Sequence, residues 1–180
     1  MSTNESAAPK IPAEITNYIK GAAAFEECQQ FDFLIGNWTV DGRRYGANAD
    51  VIQTFAATWR AQYLAERRMI MDEFTVAIPT GQVVSTFVTL RTYSPITRRW
   101  ELAGMPAMQP ALAGTWNGYL VGDEMHLTAV GPTPDGRTIR NQIRFYDIED
   151  NRFGWESTLS QDDGKTWVKL SSLVAVRTAI

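Results

Sequence analysis

The chain has 180 residues, a length that fits one domain able to bury a core of ordinary size without disulfides. It carries 17 basic and 20 acidic side chains, for a net charge of −3. Phosphate binding requires a basic excess on some face, so this balance argues against nucleic acid as a partner. Cys28 is the only cysteine, which excludes an intramolecular disulfide and a cysteine-based zinc site.

The N-terminal segment is small and polar over residues 1–12, which predicts a disordered tail ahead of a single domain over residues 13–180. It shows no apolar segment typical of a signal peptide, and no run approaches the roughly 20 apolar residues of a membrane helix. We therefore expect a cytoplasmic protein with no membrane partner. Between Pro12 and Gln30 the apolar residues follow a helical spacing, which predicts one or two short helices.

From Gly36 onward the pattern changes to short alternating runs rich in Val, Ile, Thr and aromatic residues, separated by Gly, Pro, Asn and Asp. We predict about ten strands, with approximate cores at 37–45, 51–59, 62–73, 82–93, 97–105, 113–121, 124–130, 138–147, 152–160 and 166–177. Tight turns without long crossovers indicate antiparallel hairpins, and a sheet hides its edges most simply by closing on itself. The sequence thus predicts an all-β, antiparallel up-and-down barrel of eight to ten strands. A β-sandwich is the competing architecture, and the meander-like spacing favours the barrel.

The segment Phe31–Trp38 reads Phe-Asp-Phe-Leu-Ile-Gly-Asn-Trp and resembles the opening of the lipocalin-like (calycin) superfamily, where a short helix precedes a Gly-x-Trp in the first strand. The resemblance implies that Trp38 closes the barrel floor and that Arg177, in the last strand, packs over it. Three later motifs, in this order, resemble those of a family of bacterial lipocalin-like proteins: Trp59 with Tyr63-Leu64-Ala65-Glu66, Tyr93-Ser94-Pro95-Ile96-Thr97 with Trp100, and Ser160–Trp167. The resemblance implies a barrel with a cavity and no particular chemistry.

The segment Ser160–Trp167 also matches the Asp-box of sialidase propellers, which is a hairpin turn remote from catalysis. It occurs once in this chain. We predict a structural turn in which an aspartate caps the turn amides, Gly164 adopts a positive φ and Trp167 packs beneath. No glycosidase activity is inferred from it.

Glu66 is predicted to lie in the middle of a strand with polar residues on both faces. A buried carboxylate needs a hydrogen-bonded cation or a raised pKa, and Arg68, Arg91 or Arg99 could be that cation. The alternative is an exposed cross-strand ion pair, which would contribute little to stability.

His126 is the only histidine. One histidine with carboxylates is a poor zinc or iron site, and the chain has no Gly-x-Ser-x-Gly motif for a nucleophilic serine. We expect His126 to lie on the surface or at the rim. The alternatives are general acid–base catalysis and axial ligation of haem, the latter as in one haem-binding lipocalin-like relative. The chain has no Walker A, GxGxxG or EF-hand pattern, so we expect no cofactor.

Two further features concern the interior and the loops. Asn141 shares a face with apolar residues, so its amide is predicted to point inward, where the protein or a ligand must supply its hydrogen bonds. Trp155 is predicted to be part of the core or of the cavity wall. The segment Met105–Leu112 is apolar yet turn-like, which fits a lid, a contact of a homodimer or a loop packed on its own barrel.

These observations lead to three hypotheses. In the first, the barrel binds a small, partly apolar molecule through Trp59, Arg91, Arg99, Trp100, Trp116, Asn141 and Trp155. In the second, the same cavity is the site of a cofactor-free isomerase, cyclase or lyase. Glu66 is then the base, His126 or Tyr63 the proton partner, and Arg91 or Arg99 stabilises negative charge. In the third, the protein dimerises through an apolar outer face.

Overall fold

The computed structural model describes residues 24–108, 114–132 and 136–178. A 3₁₀ helix, Glu26–Leu34, is followed by ten strands: β1 (Gly36–Tyr45), β2 (Val51–Leu64), β3 (Met69–Ala77), β4 (Val83–Ser94), β5 (Arg99–Pro106), β6 (Gly114–Val121), β7 (Glu124–Pro132), β8 (Thr138–Tyr146), β9 (Arg152–Ser160) and β10 (Val168–Arg177). Each strand pairs antiparallel with the next, and β1 also pairs with β10, which closes the sheet into a barrel. The predicted up-and-down barrel is confirmed, and the sandwich alternative is wrong.

The N-terminal predictions are tested only in part. The helix Glu26–Leu34 overlaps the region predicted to be helical, whereas the predicted tail over residues 1–12 lies outside the described residues. In the described part of the chain, no helix combines the length and the apolar character that crossing a bilayer requires.

The turn between β2 and β3 corrects one predicted strand. We predicted a strand over 62–73, but Leu64 pairs with Met69 and the chain reverses between them. Ala65, Glu66 and Arg67 all have positive φ values, of 48°, 54° and 70°. Left-handed backbone is uncommon outside glycine, and this stretch contains none of the residues that usually signal a turn. Glu66 therefore lies in a turn and not in the middle of a strand.

The two ends of the barrel differ. The 3₁₀ helix packs across the end at which β1 begins, and there it closes the floor, a buried cluster of Phe31, Leu34, Trp38, Trp100, Phe145 and Phe153. The rings meet edge to face, with centroids 4.8 Å apart for Phe31 and Trp100 and 4.7 Å apart for Trp38 and Phe153. The opposite end, at which β1 ends and β2 begins, is the rim.

Arg177 connects the last strand to the floor. Its guanidinium lies 4.1 Å from the centroid of the Trp38 ring. It also donates hydrogen bonds to the carbonyl oxygens of Ile35, at 2.6 Å, and Phe33, at 3.1 Å, where the helix ends. The two residues that the resemblance pairs are thus in contact, and the cation satisfies carbonyls that the helix leaves free.

Gly36 stands where this contact leaves no room for a side chain. Its φ is +128°, and a Cβ there would lie 2.5 Å from the Arg177 guanidinium. We expect Gly36→Ala to lower the free energy of unfolding by about 2–3 kcal/mol, because it adds backbone strain and displaces Arg177. Urea denaturation would measure this. Gly122→Ala is a control for a positive φ without a crowded neighbour, since Gly122 has a φ of +63°, in the left-handed helical region, and nothing lies within 4 Å of the added carbon. Equal losses in the two variants would show that the Arg177 contact is unimportant.

The segment Ser160–Trp167 forms the predicted kind of turn. The Ser160 hydroxyl accepts a hydrogen bond from the Gly164 amide at 2.7 Å, and Gly164 has a φ of +92°. Hydrogen bonds from the Thr166 amide and hydroxyl hold the pKa of Asp162 well below its usual range. Trp167 is only partly covered, at 37% exposed, and donates to the Gly164 carbonyl. All these contacts are internal to the turn, so they serve structure.

The apolar segment Met105–Leu112 is described only at its start. Met105 and Pro106 end β5, and the turn that follows leaves Met108 62% exposed. Residues 109–112 lie outside the described residues. The lid and homodimer hypotheses for this segment therefore stay predictions.

Candidate functional site

Between the floor and the rim, the barrel encloses a cavity of about 370 Å³. This volume falls in the range of small-molecule binding sites. Seven aromatic residues line it: Phe55, Trp59, Phe74, Phe87, Trp116, Phe145 and Trp155. Five aliphatic residues complete the apolar wall: Val76, Leu102, Leu127, Ile143 and Leu173. The polar lining consists of Arg44, Asp72, Ser85, Thr89, Arg91, Asn141, Ser157 and Ser171.

An ion pair lies at the deep end of the cavity. Arg91 Nε donates to Asp72 Oδ2 at 2.6 Å, and the two side chains are only 4% and 2% exposed. Trp59 Nε1 donates to the other carboxylate oxygen at 2.8 Å. Strand alternation explains the placement, because Asp72 in β3 and Arg91 in β4 both point inward on neighbouring strands. Both oxygens of Asp72 are therefore occupied by donors from the wall.

The Arg91 guanidinium also rests on the floor. Its central carbon lies 4.9 Å from the centroid of the Phe31 ring and 5.7 Å from that of Phe145. Its Nη1 atom is buried and has no hydrogen-bond partner among the described residues. A buried donor without an acceptor is costly to stability.

A second polar group, the Asn141 amide, is held by hydrogen bonds in the wall of the cavity. Asn141 Oδ1 accepts a hydrogen bond from Trp116 Nε1 at 2.8 Å, and its Nδ2 donates to Ser157 Oγ and to the Thr158 carbonyl, both at 2.9 Å. The inward amide that we predicted is thus satisfied by the protein itself. Its effect is to hold the Trp116 indole in a fixed orientation in the cavity wall.

The structure brings together Trp59, Arg91, Trp116, Asn141 and Trp155 of the seven predicted ligand-binding residues. It does not bring Arg99 or Trp100 to the cavity. Trp100 points inward but is fully buried in the floor, where its Nε1 donates to Gln30 at 3.1 Å. Arg99 is its neighbour in β5, so it points outward, and it pairs with Glu101 at 2.8 Å.

The predicted acid–base residues do not meet. Glu66 is 80% exposed in its turn and accepts a hydrogen bond from Arg68. The Tyr63 hydroxyl lies 3.1 Å from Arg67 Nη2. His126 is on the outer face of β7, with Nε2 at 2.8 Å from a Glu124 carboxylate oxygen.

None of these three predicted residues lines the cavity. The acid–base group that we predicted inside the barrel is therefore not formed there. Within the ranges that the structure describes, no three His, Cys, Asp or Glu side chains are grouped as a metal site.

Sequence reasoning missed Asp72, the carboxylate on which the deep end depends. A signal for it was present. On alternation, Asp72 falls on the same face as Ile70 and Phe74, so a lone acid interrupts an apolar face, while Glu73 falls on the other face. An acid in that position requires a buried cation, which Arg91 supplies.

No protein-family model and no curated protein matches this chain. Among solved structures, Rv2717c from M. tuberculosis is similar, with 14% identity and a TM-score of 0.58 over 87% of this chain and 99% of that chain. The S-type phycobiliprotein lyase CPES from Guillardia theta is also similar, with 14% identity and a TM-score of 0.58 over 91% and 98%. At this identity the likeness concerns the fold alone, which is a closed antiparallel β-barrel.

Proposed function

We propose that the protein binds a small, partly apolar molecule in the barrel cavity. The observation that carries the proposal is the cavity of about 370 Å³, walled by seven aromatic residues, with the buried Asp72–Arg91 pair at its deep end. Interiors that serve stability alone are close-packed, so a space of this size is expected to have another use. Apolar walls with a few placed polar groups are the usual composition of a small-molecule site.

The geometry favours binding over the cofactor-free isomerase, cyclase or lyase. Among the described residues, Asp72 is the only carboxylate that lines the cavity, and both its oxygens already accept hydrogen bonds. A general base must be able to reach the proton that it abstracts. The phycobiliprotein lyase is an enzyme by its name, but its likeness to this chain extends to the fold and gives no residue a role.

Titration with anilinonaphthalene sulfonate, a fluorescent probe of apolar sites, tests the proposal. Thr89 lines the cavity and is buried, so Thr89→Phe would place a ring inside it. We expect this variant to bind the probe about tenfold more weakly than the unaltered protein. The matched control is Val88→Phe, on the outward face of the same strand, which should bind normally.

Circular dichroism and the unfolding transition would establish that both variants are folded. A folded Thr89→Phe protein that binds the probe as tightly as the control would show that the probe does not occupy the cavity. If the unaltered protein does not bind the probe at all, the conclusion is the same: the probe does not occupy the cavity. Either outcome counts against the proposed function.

A further inference from the structure

We propose that the ligand is a planar aromatic acid held in one orientation, with a neutral oxygen acceptor at Arg91 and its carboxylate at Arg44. This inference rests on the proposed function, because it assigns a chemical class to the molecule in the same cavity. It depends on a difference between the two arginines that line that cavity.

At the deep end, the charge of Arg91 is already neutralised. Asp72 lies 2.6 Å from Arg91 Nε, and both side chains are almost fully buried. A ligand carboxylate at Arg91 would therefore place a second negative charge beside Asp72 with little solvent to separate the two, which is unfavourable. A carbonyl or amide oxygen that meets the Arg91 side chain from the cavity adds no charge beside Asp72.

At the rim, Arg44 is in the opposite situation. It is exposed, and it makes no ion pair with any described residue. Its partners in the sheet, Gln53 on β2 and Ser171 on β10, are both uncharged. Its guanidinium carbon lies 5.8 Å from the centroid of the Phe55 ring, which directs the charge over the aromatic wall. A carboxylate held here stays in contact with solvent and avoids the cost of burying a charge.

Aromatic rings on β2, β3, β4 and β6 line the cavity that the two arginines share. Phe55 and Trp59 both meet Phe74 edge to face, with centroids 6.3 Å and 5.3 Å apart. Phe87 and Trp116 meet with centroids 6.4 Å apart. Rings fixed in this way favour a flat, conjugated body between the neutral end and the charged end of the ligand.

Four compounds built on fluorene, whose two rings are held flat by a bridge, test the inference by displacing anilinonaphthalene sulfonate; their substituents are at positions 2 and 7, at opposite ends of the molecule. The first carries an acetyl group and a carboxylate, the second an ethyl group and a carboxylate, the third an acetyl group alone, and the fourth two carboxylates. We expect the acetyl carboxylate to bind about tenfold more tightly than each of the other three, because only it matches both ends of the cavity.

Two variants identify the arginine at the rim. Arg44→Gln should abolish the preference for the acetyl carboxylate over the compound with acetyl alone, and it should leave the affinity for the latter unchanged. Arg43→Gln, the adjacent arginine on the outward face of β1, is the control and should retain the preference. The deep end is tested through the ligands, because a substitution of Arg91 would leave Asp72 buried without its cation.

The outcomes separate this inference from the proposed function. Three outcomes would count against the ligand class even if anilinonaphthalene sulfonate occupies the cavity. These are that the dicarboxylate binds best, that the acids bind no more tightly than the compound with acetyl alone, or that none of the fluorene compounds displaces the probe. The assignment of the ligand class is then overturned while small-molecule binding stands. The assignment also fails if Arg43→Gln removes the carboxylate preference as fully as Arg44→Gln. Failure of the unaltered protein to bind the fluorescent probe overturns both.

Discussion

Replacing Asp72 with alanine is expected to lower the free energy of unfolding by about 3–5 kcal/mol. The substitution leaves the Arg91 guanidinium buried among aromatic rings without a counter-charge, and it removes the acceptor of the Trp59 indole. Urea denaturation, followed by tryptophan fluorescence and by circular dichroism, would measure the loss.

Glu101→Ala is the matched control for this prediction. Glu101 also pairs with an arginine at 2.8 Å, but that pair is exposed, and its loss should cost under about 1 kcal/mol. The double variant Asp72→Leu with Arg91→Met should regain most of the stability lost in Asp72→Ala, since it leaves no charge in the interior. Similar losses for Asp72→Ala and Glu101→Ala would contradict the view that the buried pair is energetically distinct.

Trp38→Ala is expected to have an effect of similar size, about 3–5 kcal/mol. Trp38 is 1% exposed, packs edge to face on Phe153 and donates its indole hydrogen to the Leu34 carbonyl at 2.8 Å. Its removal opens a space in the floor and takes away the ring on which Arg177 rests. The midpoint of urea denaturation would report the change.

Two comparisons make the Trp38 prediction specific. Trp167→Ala removes the same side chain from a partly exposed turn and should cost under about 1 kcal/mol. Trp38→Phe keeps a ring beneath Arg177 and should recover part of the lost stability. If Trp38→Ala proved no more harmful than Trp167→Ala, the floor would not depend on Trp38.

The barrel could be predicted because two local signals agree along most of the chain. Alternation identified strands, and glycine, proline, asparagine or aspartate marked nearly every reversal. Prediction failed between Leu64 and Met69, where the chain turns through three non-glycine residues with positive φ. The ladder pairs on either side impose that turn, and nothing in the local composition announces it. For this reason the predicted position of Glu66, in the middle of a strand, is wrong.

The candidate site was predictable in one dimension only. Alternation tells which side of the sheet a residue faces, and Trp155, predicted to be core or cavity wall, does line the cavity. It does not tell the depth of a residue along the barrel axis, which depends on the stagger of the strands and on what fills each end. Trp100 also faces inward, yet it lies in the floor because the 3₁₀ helix packs against it.

The contact between Phe31 and Arg91 joins two parts of the molecule that otherwise act separately. Phe31 belongs to the 3₁₀ helix that closes the floor, and Arg91 belongs to the ion pair at the deep end of the cavity. A ligand that contacts Arg91 would therefore be affected by whether the 3₁₀ helix is packed against the floor. If a ligand binds more tightly when this helix is packed on the floor, then by thermodynamic linkage the bound ligand stabilises the packed helix by the same free energy.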